Sequence, residues 1–123
     1  MEWKFTGDKP VYQQIMELLR SAILAGVYAP GDRIPSVREL AMQAKVNPNT
    51  MQRALTELEE EQVLVNLGTT GRCVTDNQQI LEQLRSQIID QTVRHCAQQF
   101  SALGLTMQEA AKLLQELEEK EEA

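Results

Sequence analysis

The stretch PSVRELAMQAKVNPNTMQRALTELEEE, residues 35–61, decides the fold. Ser36-Val-Arg-Glu39 reads as a capping box: the Ser36 hydroxyl is placed to accept a helix N–H, and Glu39 to reach back to the N–H of Ser36. The helix it opens is short, because the apolar series Val37, Leu40, Ala41 and Ala44 ends by Lys45-Val46. Asn47-Pro48 opens another helix at once, since asparagine is a good N-cap and proline is pre-set for the first helical position. This second helix turns Met51, Ala54, Leu55 and Leu58 inward and runs into Glu59-Glu60-Glu61. Two helices so closely joined form a helix-turn-helix. Turns of this kind often carry a glycine and this one has none, so the assignment rests on the two caps.

Upstream, Val11, Ile15, Leu18, Leu19, Ala22 and Ile23 recur along one helical face. They predict a helix from Pro10, which suits a first turn, to Gly26, which supplies a stop. Ala29-Pro-Gly-Asp-Arg-Ile-Pro35 reads as a turn-rich connection. Downstream, Val63-Leu-Val65 and Arg72-Cys-Val-Thr75 flank Gly68-Thr-Thr-Gly71 as a hairpin with a glycine-punctuated tip. Three helices followed by a β-hairpin predict a winged helix-turn-helix over residues 1–76.

From residue 77 the pattern is helical throughout, so the expected class is mainly α with one small β-hairpin. Ile80, Leu81, Leu84, Ile88, Ile89, Val93, Cys96, Phe100 and Leu103 trace a broad apolar face along roughly 40 Å of helix. Gly104 is a stop. Thr106-Met-Gln-Glu109 is a second capping box, with Leu105 and Ala110 placed to form a hydrophobic staple. The last helix offers Ala110, Leu113, Leu114 and Leu117 and ends in a charged tail. Two helices of this size are marginal alone. Residues 77–123 are therefore expected to dimerise through Leu81, Leu84, Ile88, Val93, Phe100, Leu113 and Leu117; folding back on the winged helix of the same chain is the competing arrangement.

Composition narrows the function. The 123 residues are 42% hydrophobic and 24% charged, as in ordinary globular proteins. No apolar run approaches the ~18 residues of a membrane span, and the N-terminus lacks a basic-then-apolar secretory layout. The expected location is the cytoplasm. Cys73 and Cys96 lack CxxC spacing, and His95 is the single histidine, which argues against a disulfide scaffold or a zinc site. Buried inert thiols and a helix-surface histidine are the default readings. GTTG at 68–71 is too short for a phosphate-binding P-loop. Neither an enzyme, a metal nor a cofactor is expected.

The net charge of −6 disfavours non-specific nucleic-acid binding, but it is unevenly spread. Residues 20–56 hold five basic side chains (Arg20, Arg33, Arg38, Lys45, Arg53) against two acidic ones (Asp32, Glu39), a local +3. Residues 77–123 hold four basic against eight acidic, a local −4. The second helix of the motif presents Asn47, Asn49, Thr50, Gln52 and Arg53 in its first two turns, where a recognition helix meets base edges. Asparagine and glutamine pair with adenine and arginine with guanine, while threonine serves bases or phosphate. Ser36 and Arg38 stand at the start of the preceding helix, whose dipole favours a phosphate. Gly71 and Arg72 at the hairpin tip are placed for a groove or a flanking phosphate. Each has a plainer alternative: Asn47 as N-cap, Asn49 and Gln52 as solvent-facing residues, Arg53 paired with Glu57, Arg38 paired with Asp32 or Glu39, and Gly71 serving the turn alone. The aromatics Trp3, Phe5, Tyr12, Tyr28 and Phe100 lie outside wing and recognition helix, which disfavours single-strand binding.

Residues 10–75 resemble the DNA-binding domain of the GntR family of bacterial transcription regulators. The likeness runs through PVYQQI (10–15), AGVYAPGDRIPSVRELA (25–41), VNPNTMQRALTELEEE (46–61) and the wing to Val74. Asn47-Pro48-Asn49-Thr50 and the short two-helix C-terminal segment resemble the YtrA subfamily. The resemblance implies a homodimeric winged-helix repressor on a palindromic double-stranded operator, with Arg38 on a phosphate and Asn49, Thr50, Gln52 and Arg53 on the recognition helix. The chain departs from the family at Asn47-Pro48, where many members carry Ser-Arg or Thr-Arg. It departs again at Gln62, where a glycine is usual, and at Leu67, where an arginine is usual. Two other functions compete: a protein-interaction module using the acidic C-terminal helices, and a regulator with a small-molecule effector between those helices. A stoichiometric protein partner would mark the first, ligand-dependent stabilisation the second.

Overall fold

The computed structural model describes residues 1–122. Its elements are α1 (Val11–Leu24), α2 (Val37–Ala44), α3 (Pro48–Glu60), β1 (Leu64–Asn66), a short 3₁₀ turn (Gly68–Thr70), β2 (Arg72–Val74), α4 (Gln78–Ala102) and α5 (Met107–Glu122). This is the mainly helical winged helix-turn-helix that the caps and periodicities predict, followed by two helices. The chain divides into two compact units, Met1–Arg85 and a second beginning at Ser86, so the division falls inside α4.

In the first unit α1 and α2 both pack on α3, and α3 packs on β1. Ile15, Leu19, Leu40, Met51, Leu55, Leu58 and Val74 are almost wholly buried and form its centre. The α1 face differs slightly from the predicted stripe: Met16 is buried, while Val11 is 36% exposed. Pro10 stands just outside α1 as its N-cap, its carbonyl accepting from the N–H groups of Gln13 and Gln14 at 3.1 and 3.3 Å. Gln14 is a buried polar residue with a job. Its side-chain oxygen accepts from the Thr6 N–H at 2.8 Å, and its amide nitrogen donates to the carbonyls of Thr6 and Lys9 at 2.9 and 2.8 Å. It thereby straps residues 6–9 onto α1 and satisfies its own polar groups.

Four helices end in the same way. After α1, α2, α3 and α4 a residue turns left-handed, its N–H returns to a carbonyl in the last turn, and the next N–H closes a longer loop: Val27 on Ala22, Val46 on Ala41, Val63 on Leu58 and Leu105 on Phe100. This is the Schellman closure, which suits glycine. Gly26 and Gly104 supply it at two ends, but Lys45 (φ 57°) and Gln62 (φ 67°) supply it at the others. The turn of the helix-turn-helix therefore forms without glycine because Lys45 adopts the glycine conformation. Left-handed backbone costs an L-residue about 1–2 kcal/mol, partly offset in a glycine variant by its greater unfolded-state freedom. Gln62→Gly is accordingly expected to raise stability by about 0.5–1 kcal/mol, measured by urea denaturation.

The wing pairs Leu64 with Val74, Val65 with Cys73 and Asn66 with Arg72, antiparallel. The segment expected to be only a turn also touches the edge of this two-stranded sheet through an isolated β-bridge. Arg33 bridges Cys73, the Ile34 N–H donates to the Arg72 carbonyl at 3.0 Å, and the Val74 N–H donates to the Asp32 carbonyl at 2.8 Å. Ile34 is buried, which anchors this bridging segment. One covalent step from it, Pro35-Ser36 begins α2, so the wing and the helix-turn-helix are registered to each other through residues 32–36.

In the second unit Thr106 caps α5 reciprocally: the Glu109 N–H donates to the Thr106 hydroxyl and the Thr106 N–H to the Glu109 carboxylate, both at 3.1 Å. Ala110 is buried, as a staple position requires. Val93, Leu103, Leu113, Leu114 and Leu117 are all more than half exposed.

Candidate nucleic-acid interface

Three pieces of the first unit converge on one cleft of about 660 Å³: the bridging segment and α2 start (Arg33 to Glu39), the start of α3 at Pro48, and the wing tip (Thr69 to Arg72). The caps explain the local geometry. Ser36 accepts the Glu39 N–H at 3.1 Å, and its hydroxyl donates to the Glu39 carboxylate at 3.2 Å. The carboxylate thus takes the serine hydroxyl, where the capping-box pattern predicted the Ser36 N–H. The N–H groups of Val37 and Arg38, in the first turn of α2, have no intrahelical carbonyl to bond.

The arginines fall into two classes. Among the described residues no carboxylate pairs with Arg33 or Arg38; both are exposed and both line the cleft. The carboxylates named as alternative partners for Arg38 are occupied elsewhere, since Asp32 accepts the Ala29 N–H at 3.0 Å and Glu39 holds Ser36. Arg72 and Arg53 are paired. The Arg72 side chain is only 14% exposed and hydrogen-bonds Glu59, which ties the wing to α3. It lines the cleft from the wing side while its charge is balanced from α3. Arg53 lies 3.6 Å from Glu57, and its guanidinium carbon sits 3.7 Å from the centre of the Tyr12 ring.

Along α3, Asn47 is the N-cap, accepting the Asn49 N–H at 2.8 Å. Asn49, Gln52 and Arg53 are exposed and Thr50 is half-buried. Gln52 donates to the Thr56 hydroxyl at 3.2 Å. Gly71 sits at φ 96°, a backbone that favours glycine, and its carbonyl accepts the Leu67 N–H at 2.7 Å to close the wing tip. Four residues here are not marked as site residues by the sequence: Arg33, Thr69 and Thr70 on the cleft, and Tyr12 beneath Arg53. The wing threonines carried no signal beyond their place between two glycines. Tyr12 stands in the quoted PVYQQI motif, but its partner lies far along the chain.

The predicted interface positions of the C-terminal helices divide as well. Val93, Leu113 and Leu117 are exposed, Leu81, Ile88 and Phe100 are half-buried, and Leu84 is already covered within the single chain at 5% exposure.

Comparison with known proteins agrees with this geometry. The pattern of the family described as bacterial regulatory proteins, gntR family, matches residues 11–74. The chain is 33% identical over 109 residues to an uncharacterized HTH-type transcriptional regulator, YhcF, of Bacillus subtilis, covering 89% of this chain and 90% of that one. It is 38% identical over 94 residues to the HTH-type transcriptional repressor YtrA of the same organism, covering 68% of this chain and 72% of that one. Among solved structures, a GntR family transcriptional regulator from Listeria monocytogenes superimposes with a TM-score of 0.83 at 35% identity, over 91% of this chain and 98% of that chain. None of the helices is long and apolar enough to cross a membrane among the described residues. With the helix-turn-helix, the wing and the two C-terminal helices all in place, the chain belongs to the GntR family of bacterial regulatory proteins, among its YtrA-like members.

Proposed function

We propose that the chain is a cytoplasmic transcriptional repressor that binds double-stranded DNA as a homodimer on an inverted-repeat operator. The observation that carries this reading is the cleft between wing tip and α2, where Arg33 and Arg38, with no carboxylate partner among the described residues, stand beside the exposed first turns of α3. A phosphate seated there meets a positive helix end and a guanidinium together. With the backbone held in that cleft, α3 is the element left to enter the major groove, offering Asn49, Thr50 and Gln52 to base edges. Asn47, committed to capping, contributes position. Repression, the activity named for the Bacillus YtrA protein, is assigned to this chain by likeness.

Residues 1–76 are assigned to DNA and residues 77–123 to dimerisation. The support for the second assignment is the apolar surface of Val93, Leu103, Leu113, Leu114 and Leu117, which the described residues leave open to solvent. A second copy covering it sets two recognition helices about 34 Å apart, one turn of DNA.

Selection of randomised duplexes on the purified protein tests this reading. An enriched inverted repeat with half-sites about one helical turn apart is the expected result. Gln52→Ala is expected to relax one position in each half-site and to cost about 1 kcal/mol per half-site on the best sequence. Folded, dimeric protein that enriches nothing overturns the proposal.

A further inference from the structure

The exposed side of α3 carries two rows at four-residue spacing: Asn49, Arg53 and Glu57 in one, Gln52 and Thr56 in the other. The first row runs beside α1, because Arg53 lies over the ring of Tyr12 at 3.7 Å. Glu57 approaches the Nε of the same guanidinium at 3.6 Å, while the Arg53 side chain remains 60% exposed. The Tyr12 hydroxyl is itself engaged by the side-chain amide of Gln13 at 3.2 Å. Arg53 is thus stacked on one face and neighboured by an anion at one edge, yet open to solvent over most of its surface.

We propose that Tyr12 is a specificity-determining residue of this protein, holding Arg53 by stacking so that its guanidinium fork reads guanine in the major groove. The inference rests on the DNA-binding reading above. Its first step is entropic. A free arginine carries large rotamer freedom, which a contact with DNA must remove; an arginine already laid on an aromatic ring has lost much of it before DNA arrives. Stacking covers a face of the guanidinium and leaves its N–H groups, which lie in the plane, pointing outward.

The second step separates base from phosphate. Glu57 balances the charge of Arg53, so a phosphate brought to this arginine also meets a carboxylate of its own sign. The O6/N7 edge of guanine is neutral and offers two acceptors at the spacing of the arginine fork. A stacked, charge-balanced arginine therefore suits a base, whereas Arg38, which no carboxylate among the described residues pairs, suits a phosphate. Asn49, one turn earlier in the same row, is placed for an adjoining adenine.

The experiment compares duplex selections on the wild type, Arg53→Ala, Arg53→Lys, Tyr12→Leu and Tyr12→Phe. Arg53→Ala and Arg53→Lys are expected to relax the same guanine position in each half-site, the lysine variant because it keeps the charge and loses the fork. Tyr12→Leu is expected to relax that position too, lowering the preference for guanine there by about 2- to 30-fold, with the other positions unchanged. Tyr12→Phe keeps the ring face and is expected to select the wild-type sequence. The proposal is overturned if Tyr12→Leu weakens all sequences equally, if Tyr12→Phe loses the guanine preference, or if Arg53→Lys retains it. Wild-type protein that selects no duplex overturns instead the DNA-binding reading on which this inference stands. The lysine and phenylalanine variants preserve the test should Tyr12→Leu not fold.

Discussion

Val93→Asp combined with Leu117→Glu yields a folded monomer whose affinity for the two-half-site operator falls by about 100- to 10,000-fold. The magnitude comes from linkage. When two recognition helices belong to one dimer, the second half-site is bound at a high effective concentration, and a monomer forfeits that gain without losing any contact of its own. The positions are chosen from exposure: Val93 is 61% and Leu117 53% open to solvent, so a carboxylate at either is tolerated by the single chain. In a dimer that covers them, the same carboxylates are buried without partners, at a cost of several kcal/mol each (~3–5). Leu84 is unsuitable for this purpose, because it is already buried within the single chain and a charge there acts on folding. Light scattering reports the monomer, circular dichroism its retained helices, and titration of one- and two-half-site duplexes the affinity. Equal loss on both duplexes, or a monomer that still binds the inverted repeat as tightly as the wild type, refutes dimerisation through these helices.

The sequence makes legible those features that are local. Ser36, Asn47 and Thr106 announce three helix starts because capping is a contact over two or three residues, and each accepts an N–H in the structure as expected. The buried series Met51, Ala54, Leu55 and Leu58 is likewise set by periodicity alone. Features that depend on distant residues are illegible. Arg33 reads as part of a turn, and only its bridge to Cys73 ties it to the wing, where it lines the cleft. Arg72 reads as a basic wing tip, and only the fold reveals Glu59 beside it. Tyr12 and Arg53 are joined across two helices by packing that no spacing encodes. Lys45 and Gln62 form an intermediate case: the missing glycines are visible in the sequence, but the left-handed backbone that a glycine would have signalled appears only in the structure.

Arg38→Ala is expected to weaken binding to every duplex nearly equally, by about 2 kcal/mol for each half-site. It should also make the slope of log affinity against log salt shallower by roughly 0.9 per protomer. Three observations set this expectation. Arg38 is exposed, it lines the cleft beside the wing tip, and no carboxylate among the described residues competes for it. Its position in the first turn of α2 adds the positive end of that helix, where a charged hydrogen bond to phosphate is favoured. A phosphate contact carries no base information, so the enriched sequence should stay that of the wild type even as affinity falls. This separates Arg38 from Gln52, whose loss should alter the sequence selected and leave the salt slope unchanged. Arg38→Lys should restore most of the slope, since charge sets counterion release, but only part of the affinity, since a lysine lacks the planar fork. Titrations at several salt concentrations on the selected duplex and on a scrambled one check all of these outcomes. A change in sequence preference with an unaltered slope would place Arg38 at a base, and the cleft would then no longer be the seat of the DNA backbone.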